Sequence, residues 1–141
     1  MKLVNLFIAL FFCSTLLAQI DRQAAFHFNE AILHFKEKDY SAAVDAYTEA
    51  IKIAPNYEKA LYNRGKAQLK LKKYKSALGD FQKTVQLNPK HDKALLYSGI
   101  CFMKAKNYPA AISHFNKSLK IEKSSYALTC LLYTSPSPRD S

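Results

Sequence analysis

Three segments of this chain repeat one another at a spacing of 34 residues, and a period of that length restricts the fold more than any other feature. Tyr40, Tyr74 and Tyr108 fall in register, as do Ala43, Ala77 and Ala111. Tyr47, Phe81 and Phe115 form a third column, and the small residues Ala50, Thr84 and Ser118 a fourth. Ala31, Gly65 and Gly99 place a small residue early in each unit, and Pro55 and Pro89 close the first two. Self-similarity at this period, combined with helical patterning, is the signature of stacked helix pairs.

Each unit reads as two amphipathic helices joined by a tight turn. In the second unit Leu61, Gly65, Leu69 and Leu71 fall at roughly helical spacing before the polar pair Lys72-Lys73. A second helical pattern, Ala77, Leu78, Phe81, Val85 and Leu87, then runs to Pro89. Gly65, Ala77 and Thr84 let the two helices approach closely, Phe81 fills the space between them, and Tyr74 covers the start of the second helix. Pro89 lacks an amide hydrogen and disfavours helix in the residue before it, so it stops that helix. Pro109 is expected at the first helical position of its helix, where proline is well tolerated. The spacing predicts helices near 24–37, 41–54, 58–71, 75–88, 92–105 and 109–122. The fold class is therefore all-α, a solenoid of antiparallel helix pairs in a right-handed stack. One pair cannot bury its apolar face alone, and about three units are the usual minimum.

The register and the columns resemble the tetratricopeptide (TPR) family over Ala24 to Ser125, with units at 24–57, 58–91 and 92–125. The resemblance implies a protein-binding module whose concave surface is lined by the first helix of each unit. The matching residues are Phe28, Ile32, Phe35 and Lys36 in the first unit. The second supplies Lys59, Tyr62, Lys66, Leu69 and Lys70, and the third Lys93, Leu96, Ile100, Met103 and Lys104. They describe an apolar floor (Tyr62, Leu69, Leu96, Ile100, Met103) flanked by lysines, suited to protein or peptide ligands with apolar and acidic residues. One TPR subclass grips a peptide's C-terminal carboxylate with lysines, asparagines and an arginine. Asn63 and Lys93 stand in matching places here, but Phe28, Ile32 and Tyr97 occupy the others, so that clamp is not expected.

Both ends read as separate from the repeats. Residues 1–19 carry one positive side chain at Lys2, an apolar run from Leu3 to Phe12, and then Cys13 to Gln19. That is the layout of a secretory signal peptide, with cleavage expected after Ala18 or Gln19. The run is shorter than the roughly 20 residues of a spanning helix, so no stable membrane insertion is expected after cleavage. The implied location is exported: the periplasm of a Gram-negative bacterium, or secreted. Residues 126–129 are expected to begin the first helix of a truncated fourth unit. Residues 130–141 resemble, through Asp140, the in-frame translation of a transposase sequencing adapter. They are read as a non-native tail that makes no specific contact, and the native frame is expected to continue past Thr129.

Between Ile20 and Thr129 there are 19 Lys plus Arg against 10 Asp plus Glu, a net charge of +9. Arg64, Lys66, Lys70, Lys72, Lys73 and Lys75 form the densest basic stretch. No nucleic-acid motif accompanies it, so acidic proteins or anionic envelope polymers and headgroups fit better than nucleic acid, with a solvated lysine face as the bland alternative. Once both ends are set aside Cys101 stands alone, among Ile100, Phe102 and Met103, as a small buried apolar residue without a disulfide partner. His27, Glu30 and His34 share one helix face, but the spacing is not the His-Glu-x-x-His pattern of zinc peptidases and no fourth ligand is evident. A polar outer face on the first unit, which has no unit before it, explains them better. No nucleophile–base pair and no phosphate-cradling loop can be placed, so no enzyme activity, cofactor or metal is expected. Two functions remain: an envelope adaptor or scaffold that docks proteins, and the targeting arm of a larger enzyme or signalling protein.

Overall fold

The computed structural model describes residues 1–134, with side chains through Ser124 apart from Lys2, Ser14 and Leu17. It contains six α-helices: α1 Lys2–Lys36, α2 Tyr40–Ile53, α3 Glu58–Lys70, α4 Tyr74–Leu87, α5 Asp92–Lys104 and α6 Tyr108–Thr134. Each helix packs on the one before and the one after it, which is the contact pattern of a solenoid. The repeat columns supply the core. Ala31, Ala43, Ala46, Tyr47, Ala50, Ala60 and Ala67 form one buried cluster, and Ala77, Phe81, Ala94 and Cys101 form the next. Alanine-sized residues on facing helices allow close approach, and one aromatic per unit fills the remaining volume.

The turn between the two helices of a unit repeats as faithfully as the core. Lys38, Lys72 and Lys106 adopt positive φ values of 65°, 60° and 59°. After α1 the Lys38 amide donates to the Phe35 carbonyl and the Asp39 amide to the His34 carbonyl. The same two bonds recur from Lys72 to Leu69 and Lys73 to Gln68, and from Lys106 to Met103 and Asn107 to Phe102. This paired closure satisfies the last carbonyls of the helix and requires a left-handed residue, a place where glycine is favoured. The next residue opens the second helix. Asp39 caps α2 by accepting from the Ala42 amide, and Asn107 caps α6 by accepting from Ala110. Lys73, in register with both, caps nothing with its side chain.

Four departures from the sequence reading have local causes. First, α1 begins at Lys2 rather than near residue 24, because no proline or glycine interrupts the chain from the apolar leader into the first unit. Second, α6 runs on to Thr134, well beyond the expected end near 122 and into the segment read as a non-native tail. Pro55 and Pro89 stop the earlier helices, whereas their column holds Lys123 here. The remainder of the proposed tail, 135–141, lies outside the described residues. Third, Pro109 occupies the second rather than the first position of α6, still within the first turn, where amides have no helical partner. Fourth, the outer face of the first unit is not wholly polar: Phe26 is 65% and Leu33 59% exposed beside His27 and Glu30. His27 Nδ1 and Glu30 Oε2 lie 3.3 Å apart.

Candidate functional site

The helices that open each unit, α1, α3 and α5, stand side by side, and a cleft of about 290 Å³ lies between α3 and α5. Lys66, Leu69 and Lys70 come from α3, Tyr97, Ile100 and Lys104 from α5, and Tyr74 from the start of α4. Five of these seven were expected to line the groove; Tyr74 was read as covering the start of the second helix and Tyr97 only as an occupant of a clamp position. Register explains why α3 contributes here. Lys66 and Lys70 are four residues apart and share one helix face, while Leu69 fills the position between them.

Lys66 is held rather than loose. Its ammonium sits 5.4 Å from the centroid of the Phe35 ring and 5.5 Å from that of Tyr62, which draws a cation from two sides and leaves the group half-buried. The wall behind it is aromatic. Tyr97 stacks on Phe81 at 5.4 Å, and Tyr62 lies 6.0 Å from both rings and 4.6 Å from His91. Burial, and secondarily Tyr97 and Asp92 beside it, push the Tyr62 hydroxyl up to about 12. Tyr62 is thus part of the contact between the second and third units as much as a groove residue.

The remaining groove residues from the sequence divide by environment. Phe28 packs on Tyr57 at 4.9 Å and on Tyr47 at 5.7 Å, and Ile32 and Phe35 lie half-buried against the same cluster. Lys36, Lys59 and Lys93 are exposed. Leu96 and Met103 are 42% and 44% exposed and lie outside the cleft lining. Arg64, read only as part of a basic stretch, is committed elsewhere. Its Nε and Nη2 donate to the two carboxylate oxygens of Asp80 at 2.8 and 2.7 Å, and its Nη1 donates to Thr48 at 3.0 Å, tying α3 to both α4 and α2. No spacing rule links Arg64 to Asp80 across a turn, so this pair carried no sequence signal.

A larger cavity of about 530 Å³ lies at the opposite edge, lined by residues 20, 21, 24 and 53–57, with Asp21 its one charged side chain. The lysine-bordered cleft carries more charge than that cavity.

Family models describing the tetratricopeptide repeat match residues 58–91 and 93–124, and a third, for TPR repeats, matches residues 32–72. The chain carries tetratricopeptide repeats. Among solved structures it is similar to MamA, with a TM-score of 0.72 at 22% identity over 74% of this chain; it spans 61% of that one. It is also similar to the second TPR of Spaghetti (RPAP3) bound to the HSP90 peptide SRMEEVD, with a TM-score of 0.70 at 26% identity, over 73% of this chain and 95% of that one. The Arabidopsis OM64 TPR domain gives a TM-score of 0.71 at 27% identity, over 74% and 87% of the two chains. No curated protein sequence matches the chain.

Proposed function

We propose that this chain is an exported interaction module, an envelope adaptor or scaffold, that binds a peptide or partner protein along the face formed by α1, α3 and α5. The observation that carries the reading is the cleft between α3 and α5, an apolar floor of Leu69, Tyr97 and Ile100 bordered by Lys66, Lys70 and Lys104. Apolar side chains of a ligand bury on that floor and supply most of the affinity. The lysines attract its acidic groups, which raises the association rate and sets its direction. Lys66, pinned between two rings, loses little freedom when a carboxylate arrives. A similar fold bound to SRMEEVD, a peptide carrying acidic residues beside a methionine, supports this ligand chemistry. The export reading is supported by a leader helix that has no charged residue from Leu3 to Ile20 and whose described side chains there are exposed.

The test is a peptide-array experiment with the full chain and a second chain carrying Lys66→Glu and Lys70→Glu. The parent should select sequences with apolar anchors next to Asp or Glu, and the reversed chain should lose them. An unchanged bound set would sink the reading.

A further inference from the structure

A second basic feature adjoins the cleft, shares Lys70 and Lys104 with its border, and continues along the edge formed by the turns within each unit. The column Lys36, Lys70 and Lys104 ends the first helix of every unit, and two residues later the column Lys38, Lys72 and Lys106 occupies every left-handed turn position. All six side chains are exposed, and none is paired with a carboxylate among the described residues. The helix dipole accounts for one cation in the last turn of each helix. It does not call for a second beyond the cap, at a backbone position that favours glycine. Acidic residues occur in only one of the three turns, where Glu37 is exposed between Lys36 and Lys38 and Asp39 is engaged as a helix cap, so the charge bias is strongest at the second and third turns. The opposite edge, at the turns between units, mixes Lys59, Lys90 and Lys93 with Glu58 and Asp92 and shows no such bias.

We infer that this edge is a docking track for a linear polyanion bearing regularly spaced phosphate groups, which binds by running from turn to turn across the three units. Exposed, unpaired ammonium groups on long stems suit delocalised attraction to a charged chain rather than the shaped recognition of one group. A flexible chain fits the row better than a flat bilayer does. Stacked helix pairs rotate slightly from one unit to the next, so successive turns leave any common plane. The leader also departs from the opposite edge, so a membrane reached through it lies on the far side from the lysines. Lys70 and Lys104 also border the cleft, whereas Lys38, Lys72 and Lys106 do not line it, so substitutions at those three positions leave the cleft lining unchanged.

The experiment titrates the full chain with labelled inorganic polyphosphate, followed by fluorescence anisotropy at salt concentrations from roughly 50 to 200 mM. The triple variant K38G/K72G/K106G removes three charges at sites whose backbone suits glycine, so it retains the fold. A triple Lys→Arg variant at the same positions retains the charge. Polyphosphate affinity should fall about tenfold or more in the glycine variant at low salt. Its log–log salt slope should flatten by about 2, since each phosphate neutralised on a single strand contributes about 0.7. The arginine variant should match the parent. Unchanged affinity and slope in the glycine variant would overturn the inference. So would parental binding to anionic phospholipid vesicles, or to polyglutamate, at least as tight as to polyphosphate.

Discussion

Gly65 on α3 and Phe81 on α4 leave no room for a methyl group between them: a Cβ on Gly65 would lie 2.8 Å from Cε1 of the ring. Gly99 stands in the same relation to Phe115, at 2.5 Å. Gly79, on the exposed side of α4, has nothing within 4 Å of the equivalent position. Gly65→Ala should therefore destabilise the fold by about 1–3 kcal/mol through overpacking. Gly79→Ala should stabilise it by about 0.5–1 kcal/mol through helix propensity. Urea midpoints of the two variants check both signs at once.

The turn columns contain a missing cap. Asp39 and Asn107 each accept an amide at the start of their helices, and Lys73 cannot. Lys73→Asp should add about 1 kcal/mol by capping α4 and placing a negative charge at its N-terminus. Lys72→Gly should add a further ~0.5–1 kcal/mol by relieving the left-handed backbone. Thermal melts of the single and double variants test this, and a lowered melting temperature for Lys73→Asp would contradict it.

The Arg64–Asp80 pair is structural, with the side chains 19% and 8% exposed. Removing one partner strands the other, so Asp80→Ala should cost about 3 kcal/mol and Arg64→Ala a comparable amount. Asp80→Ala in an Arg64→Met background should cost much less, because no buried charge is then left alone. A double-mutant cycle by chemical denaturation measures the difference. Additive losses would show that the two residues act separately.

Tyr62 and Leu96 should separate stability from binding. Tyr62 packs on three aromatic rings, so Tyr62→Ala should lower stability by about 2 kcal/mol or more and weaken ligand binding as a consequence. Leu96 is 42% exposed, and Leu96→Ala should leave the melting temperature within about 2 °C of the parent. Any effect of the Leu96 change on peptide affinity then reports contact alone. A large melting-temperature drop for Leu96→Ala would remove it from the candidate face.

Alkaline pH should unfold the chain through its buried weak acids. Burial raises Tyr47 from 10.0 to about 12 and Cys101 from 9.0 to about 11, and Tyr62 is likewise raised to about 12. The neutral forms are favoured in the fold, so this stability is complete below about pH 9 and is lost as pH rises toward 12, with Tyr47 alone accounting for about 3 kcal/mol. Tyrosinate absorbance of the folded chain should show Tyr47 and Tyr62 lagging most, with Tyr57, which burial also raises, delayed as well. All tyrosines titrating together near pH 10 in the folded protein would contradict the assignment.

What could be read from residues alone was whatever repeats. Five columns of aromatic and small side chains located the helix pairs, and the inner helix ends fall within one residue of expectation, because proline and left-handed turn positions punctuate the chain locally. The ends of the array were less legible. Helix α1 reaches back through the leader and α6 runs forward to Thr134 because local stop signals are missing at both places, and absence of a signal has no column to compare. Five cleft residues came from the family resemblance, carried over by register, and helical spacing puts Lys66, Leu69 and Lys70 on one face. Tertiary structure decided the rest. Whether Lys66 is free or pinned depends on Phe35 in the preceding unit, and whether Tyr62 is a floor residue or an interface residue depends on His91 and Tyr97 in the following one. Arg64 finds Asp80 and Thr48 only when three helices have packed. Repetition specifies a local geometry many times over, whereas each of these pairings is made once, between helices whose distance is set by the packing of the whole stack.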